Sequence, residues 1–116
     1  MALGAANASA EEPVEVPSGL DVVFHDWLDD QGAHRFRFIA PEIGQGGKQF
    51  DDVVDDMAHL CDQFVLPQLE IQELQASQVV ISLMAEPVDF GEMAPDVTQF
   101  FESYSVENGL CIWELF

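Results

Sequence analysis

The sequence predicts an α+β domain, with one main helix packed on one face of an antiparallel-rich sheet and elements in the order β-β-α-β-β-β. Three observations carry this prediction. Alternating apolar and polar residues flank turn residues near both ends of the chain, as in β-hairpins. A long middle segment repeats its apolar residues at helical spacing. The composition, 48% hydrophobic over 116 residues, is that of one domain with a substantial core.

The first hairpin is predicted over residues 20–38. Residues 20–28 are rich in β-branched and aromatic side chains, and residues 29–32 (DDQG) are turn material. The following RFRF segment alternates with period two, which places its phenylalanines on one face and Arg35 and Arg37 on the other. Pairing across the hairpin brings these arginines towards Asp26 or Asp29, an opposite-charge arrangement.

The helix is predicted over residues 50–66. Val53, Met57, Leu60 and Phe64 follow one another at spacings of three and four, so they share one face. Aspartates in the first turn complement the helix dipole. Pro67 is expected to end the helix, and residues 68–77 are expected to form a polar connection that can include one helical turn.

Residues 78–84 (QVVISLM) predict a central strand that is buried on both faces. After a long loop over residues 86–97, the chain ends in a second hairpin. Asn108-Gly109 is the strongest short-range hairpin signal, a type I′ turn. Counting outward from it pairs Val106 with Cys111 and Tyr104 with Trp113, four residues that we expect on the face covered by the helix.

The amino-terminal segment resembles the end of an export signal. Residues 8–10 (ASA) fit a signal cleavage site, so we expect cleavage near Ala10 and a periplasmic protein. The residues before the site lack a positive region and a long apolar core, and the alternative is a flexible tail. In either case residues 1–17 are expected to contribute little to the fold, and residues 18–116 form the single domain.

The two cysteines are predicted to form a disulfide. Cys61 lies on the apolar face of the helix, and Cys111 points from the last hairpin towards the same face. An oxidising compartment would join them. The alternative is a pair of buried thiols that pack as small hydrophobic groups.

One helical face carries aspartates and a histidine three and four residues apart. Such spacing can place carboxylate and imidazole on one divalent cation. The alternative is a solvated acidic face. The candidate ligands are Asp52, Asp55, Asp56 and His59.

The charge of the chain suits solubility, a cationic partner or Ca²⁺, and the alternative to a binding role is a solvated acidic surface. The net charge of −19 repels nucleic-acid phosphate and anionic lipid, so neither is expected as a ligand. No apolar run reaches the length of a membrane span, so no membrane insertion is expected. We expect a basic protein to bind the acidic helix face together with the loop, whose candidate contacts are Glu86, Asp89, Phe90, Glu92 and Asp96.

No motif in the sequence assigns a reaction. The serines lie in no nucleophile-elbow motif, and no spacing singles out a catalytic pair among the carboxylates. No cofactor is expected. The leading interpretation is a non-catalytic binding protein, followed by a divalent-cation module and then by an enzyme of unknown chemistry.

Several segments carry a family resemblance: RFRFIAPEI, DDMAHLC, QVVISL, EPVDFGEMAPDVTQFFESY and NGLCIWE. Together they resemble an uncharacterised family, a domain of unknown function, of small exported proteins from the Rhodobacter and Roseobacter group of alphaproteobacteria. The resemblance covers residues 16–116 and implies a periplasmic setting with no catalytic residues to carry over. Members sometimes bear the label acetolactate synthase. That activity is implausible for this chain, which lacks the length and the Gly-Asp-Gly stretch of thiamine-diphosphate enzymes.

Overall fold

The computed structural model describes residues 12–114 and confirms the α+β class. Six strands form one sheet in chain order: β1 (Glu12–Pro13), β2 (Val23–Asp30), β3 (Ala33–Ile39), β4 (Gln78–Met84), β5 (Gln99–Glu107) and β6 (Leu110–Trp113). β3 and β4 are parallel, and every other neighbouring pair is antiparallel. The parallel pair is joined by a helical crossover: α1 (Phe50–Leu60), a π-helical turn (Cys61–Val65) and α2 (Leu66–Ile71).

The helix covers one face of the sheet, which we call the helix face. Phe36 and Phe38 of β3 pack there with Met57 and Leu60 of α1, and all four are buried. No helix of residues 12–114 covers the opposite face, which we call the open face. This face presents the alternate residues of the central strands: Arg35 and Arg37 of β3, Val80 and Ser82 of β4, and Phe101 and Ser103 of β5.

The helix continues beyond Pro67, where the sequence predicted its end. A proline ring inside an α-helix clashes with the carbonyl four residues earlier and lacks the N–H that would bond to it. Here the turn before Pro67 is π-helical, and the Leu66 N–H donates to the Cys61 carbonyl. The wider turn accommodates the proline, so the helical turn expected after Pro67 continues the helix directly, up to Ile71, before the non-helical connection begins.

The terminal hairpin has the predicted register. Asn108 and Gly109 have φ of 55° and 76°, as a type I′ turn requires, and Tyr104 pairs with Trp113. Tyr104 is buried as expected, but Trp113 is 52% exposed. The helix meets the edge strand β6 at Cys111, and Trp113 lies two residues beyond that contact.

Residues 12–17 pack with the sheet and the core, whereas the sequence predicts that they contribute little to the fold. β1 pairs with β2, and Val16 is buried in the main core. These residues carry no helix or strand periodicity, because only two of them form a strand and the rest pack as irregular chain. The expected cleavage site near Ala10 lies outside the described residues.

The described helices give no membrane span. Over residues 12–114, none of them combines the length and the apolar character that crossing a bilayer requires.

Candidate functional site

Cys61 and Cys111 form the predicted disulfide. Their Sγ atoms are 2.01 Å apart and their Cα atoms 6.2 Å apart. The bond joins the π-helical turn to β6. It therefore ties the helical crossover to the edge of the sheet, and both cysteines serve the fold.

The acidic residues of α1 do not form the solvent-facing cluster that the sequence predicted. Asp56 is buried, and its carboxylate accepts hydrogen bonds from the Ser18 backbone N–H and hydroxyl. Asp52 accepts a hydrogen bond from the Gln49 N–H at 2.8 Å in a capping box at the helix start. Asp56 thus anchors the segment before β2, and Asp52 begins the helix.

The structure does not assemble the expected divalent-cation site. Across residues 12–114, no three His, Cys, Asp or Glu side chains are grouped so that they could hold a metal ion. Asp55 is exposed and His59 is half-buried. With Asp52 and Asp56 committed to hydrogen bonds within the fold, helical spacing alone does not make this a binding site.

The loop over residues 86–97 folds onto the open face. Val88 is buried against Ile39 and Met84, and the Phe90 ring lies 5.7 Å from the guanidinium carbon of both Arg35 and Arg37. The acidic outer side of the helix is on the other side of the sheet. The two halves of the predicted partner surface therefore do not form one continuous surface.

The two arginines are held differently. Arg37 is buried, and it donates from Nε and Nη2 to the Asp26 carboxylate and from Nη1 to the Val88 carbonyl. Arg35 donates from Nε to Asp30 at 2.8 Å. The pairing with Asp26 is as predicted. Asp30 replaces the expected Asp29, whose side chain accepts instead from the Gly32 N–H in the turn.

A cavity of about 270 Å³ lies where the loop meets the open face. We call it the arginine pocket. Its walls are formed by Arg35, Arg37, Ser82 and Phe101 of the sheet and by Asp89, Phe90 and Glu92 of the loop. Glu86 and Asp96, the other two predicted contacts, are exposed outside it.

Ser82 is the unusual member of the arginine pocket. It is 1% exposed, and within the described residues its Oγ has no hydrogen-bond partner. A buried hydroxyl without a partner costs about 1–3 kcal/mol. On the same face of the sheet, by contrast, Gln78 Nε2 and Ser103 Oγ both donate to Glu114. Ser82 therefore contributes a buried, unpaired hydroxyl to the wall of the pocket.

A second concavity lies between α2 and the terminal hairpin. We call this the helix–hairpin cleft, with a volume of about 880 Å³. Leu66, Leu69, Leu74 and Val106 give it apolar walls, and the carboxylates are those of Asp62, Glu70 and Glu73. None of the three basic residues of the chain lines it. The cleft therefore combines apolar surface with negatively charged side chains only.

Asp62 links this cleft to the edge of the sheet. Its carboxylate accepts a hydrogen bond from the Cys111 N–H at 3.0 Å. That N–H points outward from the edge strand β6. A side chain bound there blocks part of the edge against pairing with another chain.

Two ionisable side chains of β5 have raised pKa values. Burial raises the pKa of Glu102, and a hydrogen bond from Trp113 offsets part of that effect. Burial also raises the pKa of Tyr104, helped by the negative charges of Glu102 and Asp62. Burial therefore disfavours the charged form of both side chains.

The sequence analysis missed Ser82 and the arginine pocket. The RFRF alternation correctly placed both arginines on one face. Nothing in the sequence showed that the distant loop would fold over that face, because loop paths follow no periodicity. A serine in the middle of an apolar strand, QVVISLM, was the available signal.

A family model described as a family of unknown function, DUF6497, matches residues 1–116. No curated protein and no solved structure matches the chain. The function therefore has to be argued from the geometry of the chain itself.

Proposed function

Because this chain belongs to DUF6497, a family of unknown function, we propose its function from the structure: a non-catalytic periplasmic protein that binds a basic protein partner. The observation that carries the proposal is the helix–hairpin cleft. It offers the partner apolar walls and three carboxylates, with no basic residue among them.

The charge of the cleft defines the partner. Asp62, Glu70 and Glu73 border it, and the whole chain carries a net charge of −19. A surface of one sign attracts and orients an oppositely charged partner, and the effect weakens as salt rises. A cationic segment therefore fits better than a neutral or anionic one.

The apolar residues define the shape of that segment. Leu74 is 45% exposed, and Ile71 and Leu110 nearby are 70% and 57% exposed. Exposed apolar groups collected beside a cleft are typical of protein-interaction sites. We propose that the partner presents an amphipathic segment, with lysine or arginine beside apolar anchors.

The proposed compartment is the periplasm. The Cys61–Cys111 disulfide supports it, since such bonds persist in oxidising compartments. The resemblance to exported proteins of the Rhodobacter and Roseobacter group and the signal-like residues before Ala10 support it as well. An intact-mass measurement on protein from its native host tests both the cleavage after Ala10 and the disulfide. Periplasmic export predicts a chain that begins after Ala10 and lacks two thiol hydrogens, and a reduced, uncleaved chain would contradict it.

The cleft is tested by calorimetric titration with a cationic amphipathic peptide made of lysine and leucine residues. The titration is done at low salt and at physiological salt. The double substitution Glu70→Gln, Glu73→Gln is expected to weaken binding about tenfold or more. The control Glu12→Gln, Glu15→Gln removes the same charge at the opposite edge of the sheet. Equal weakening by both pairs, or no binding at low salt, would contradict the proposal.

A further inference from the structure

We propose a second site on the other side of the sheet: the arginine pocket binds a small zwitterion of amino-acid size. Arg35 and Ser82 hold its carboxylate, and Asp89 and Glu92 hold its ammonium group. This inference is independent of the helix–hairpin cleft, because the two sites share no lining residue.

Arg35 supplies the charge that the ligand meets. Its Nε is bound to Asp30, and within the described residues its two Nη groups make no hydrogen bond. Arg37 differs, since its Nε and both Nη atoms have partners. Paired N–H groups of a guanidinium match the two oxygens of a carboxylate. Arg37 therefore forms part of the wall of the arginine pocket, and Arg35 is the arginine that binds the carboxylate of the ligand.

Ser82 supplies a hydroxyl in the same pocket as that charge. The register places it opposite Arg37 on β3 and opposite Phe101 on β5. Its hydroxyl is buried in the pocket wall without a partner. Folded proteins pair nearly all such groups, and a carboxylate oxygen would complete this one.

The local charge balance favours a zwitterion over a plain anion. Asp30 and Asp26 already offset the two arginines, and Asp89 and Glu92 add negative charge at the rim. An anion would face this excess and the net charge of −19 of the chain. The rim carboxylates would repel a plain anion, but they would attract the ammonium group of a zwitterion.

The aromatic residues specify the rest of the ligand. Phe90 and Phe101 are 51% and 53% exposed, and both line the pocket. A side chain lying between them would remove apolar surface from water on both sides. The cavity of about 270 Å³ accommodates one residue and not an extended chain. We therefore infer a free amino acid with an apolar or aromatic side chain.

Calorimetry with four probes tests the proposal: L-phenylalanine, its amide, its N-acetyl derivative and alanyl-phenylalanine. Binding of phenylalanine with about tenfold or greater loss for the amide and for the N-acetyl form is expected. Alanyl-phenylalanine keeps both charges but carries its ammonium group one residue further from the carboxylate, so it should bind more weakly than phenylalanine. Binding of the dipeptide as tight as that of phenylalanine would contradict the proposal. Equal binding of the N-acetyl form or the amide, or no heat with any probe, would overturn it.

Variants locate the binding. Arg35→Gln is expected to reduce affinity about tenfold or more, and Ser82→Ala severalfold with no loss of thermal stability, since it removes an unpaired hydroxyl. Lys48→Gln is the control, because it removes a positive charge outside the pocket. Should Arg35→Gln fail to fold, Ser82→Ala decides the question alone. Unchanged affinity in Ser82→Ala, or equal loss in Lys48→Gln, would refute the assignment.

Discussion

One residue, His25, decides which side chains of β2 reach the core. The register between β2 and β3 shifts between Phe24 and Asp26, so His25 is the extra residue of a β-bulge. As a result Phe24 and Trp27 both lie on the helix face, opposite Phe38 and Phe36. Strict alternation would have sent one of them to the open face. A bulge is invisible to period-two reasoning because it interrupts the period.

Glu102 gives a prediction about pH at the same scale. Burial raises its pKa above the ordinary value of 4.5, so the folded state favours the neutral acid. Ionisation then costs stability, and the cost develops as pH rises from 4.5 through the raised folded value and persists above it. Glu102→Gln removes this cost. We expect the variant to melt higher than the parent protein at neutral pH and to lose that advantage below the ordinary carboxyl pKa.

Thermal melts across this pH range measure the effect, with Glu107→Gln as the control. Glu107 is an exposed residue of the same strand, so its substitution reports only the removal of one charge from a strongly acidic chain. An equal gain in both variants, or a gain for Glu102→Gln that grows as pH falls, would show that burial of Glu102 is not the cause.

At the scale of elements, the start of the helix allows two neighbouring aspartates to be compared. Asp51 and Asp52 both lie in the first turn of α1, where negative charge complements the helix dipole. Only Asp52 also accepts the hydrogen bond of the capping box, from the Gln49 N–H. Asp52→Ala is therefore expected to cost about 1 kcal/mol of unfolding free energy. Asp51→Ala is expected to cost less, since it loses the dipole effect alone.

Chemical denaturation of both variants and the parent protein supplies the comparison. A cost for Asp51→Ala equal to that for Asp52→Ala would mean that charge, and not the cap, stabilises the helix start. The slopes of the unfolding curves should stay the same, because neither substitution alters the buried surface.

The helices and strands were predictable from the sequence where their apolar and polar side chains follow a regular spacing. The paired register of β5 and β6 followed from Asn108-Gly109, and the central place of β4 followed from its continuous apolar run. The prediction that the helix ends at Pro67 was wrong because the effect of a proline on a helix depends on the turn before it. A π-helical turn has no sequence period of its own. The buried role of Asp56 depended on Ser18, 38 residues earlier. Contacts of that kind are set by the tertiary fold.

At the scale of the whole molecule, the sheet separates two surfaces of different chemistry. The helix side presents the acidic helix–hairpin cleft, and the open side presents the arginine pocket beneath the loop. Sequence analysis could name the acidic residues and the loop as candidates, because composition and length reveal them. It could not assign them to opposite sides, since that separation depends on the path of the loop around the end of the sheet.

The disulfide is the one covalent link between the crossover and the sheet edge, and its contribution can be measured without changing any side chain. Cys61 and Cys111 are 50 residues apart in sequence, and closing a loop of this size stabilises a fold by about 4 kcal/mol in the chain-entropy model. For a domain of this size that corresponds to a fall in melting temperature of roughly 15 °C on reduction.

Melts with and without dithiothreitol test this directly, because reduction leaves both sulfur atoms in place and opens no cavity. The double substitution Cys61→Ala, Cys111→Ala serves as the control, and its melting temperature should not respond to the reductant. The disulfide also places the Asp62 carboxylate against the Cys111 N–H, so reduction should loosen the edge strand β6 first. Hydrogen exchange at residues 110–113 should then rise before that of β3 and β4. If the melting temperature is the same in both redox states, the rest of the packing already fixes the helix against the hairpin, and the bond contributes no net stability.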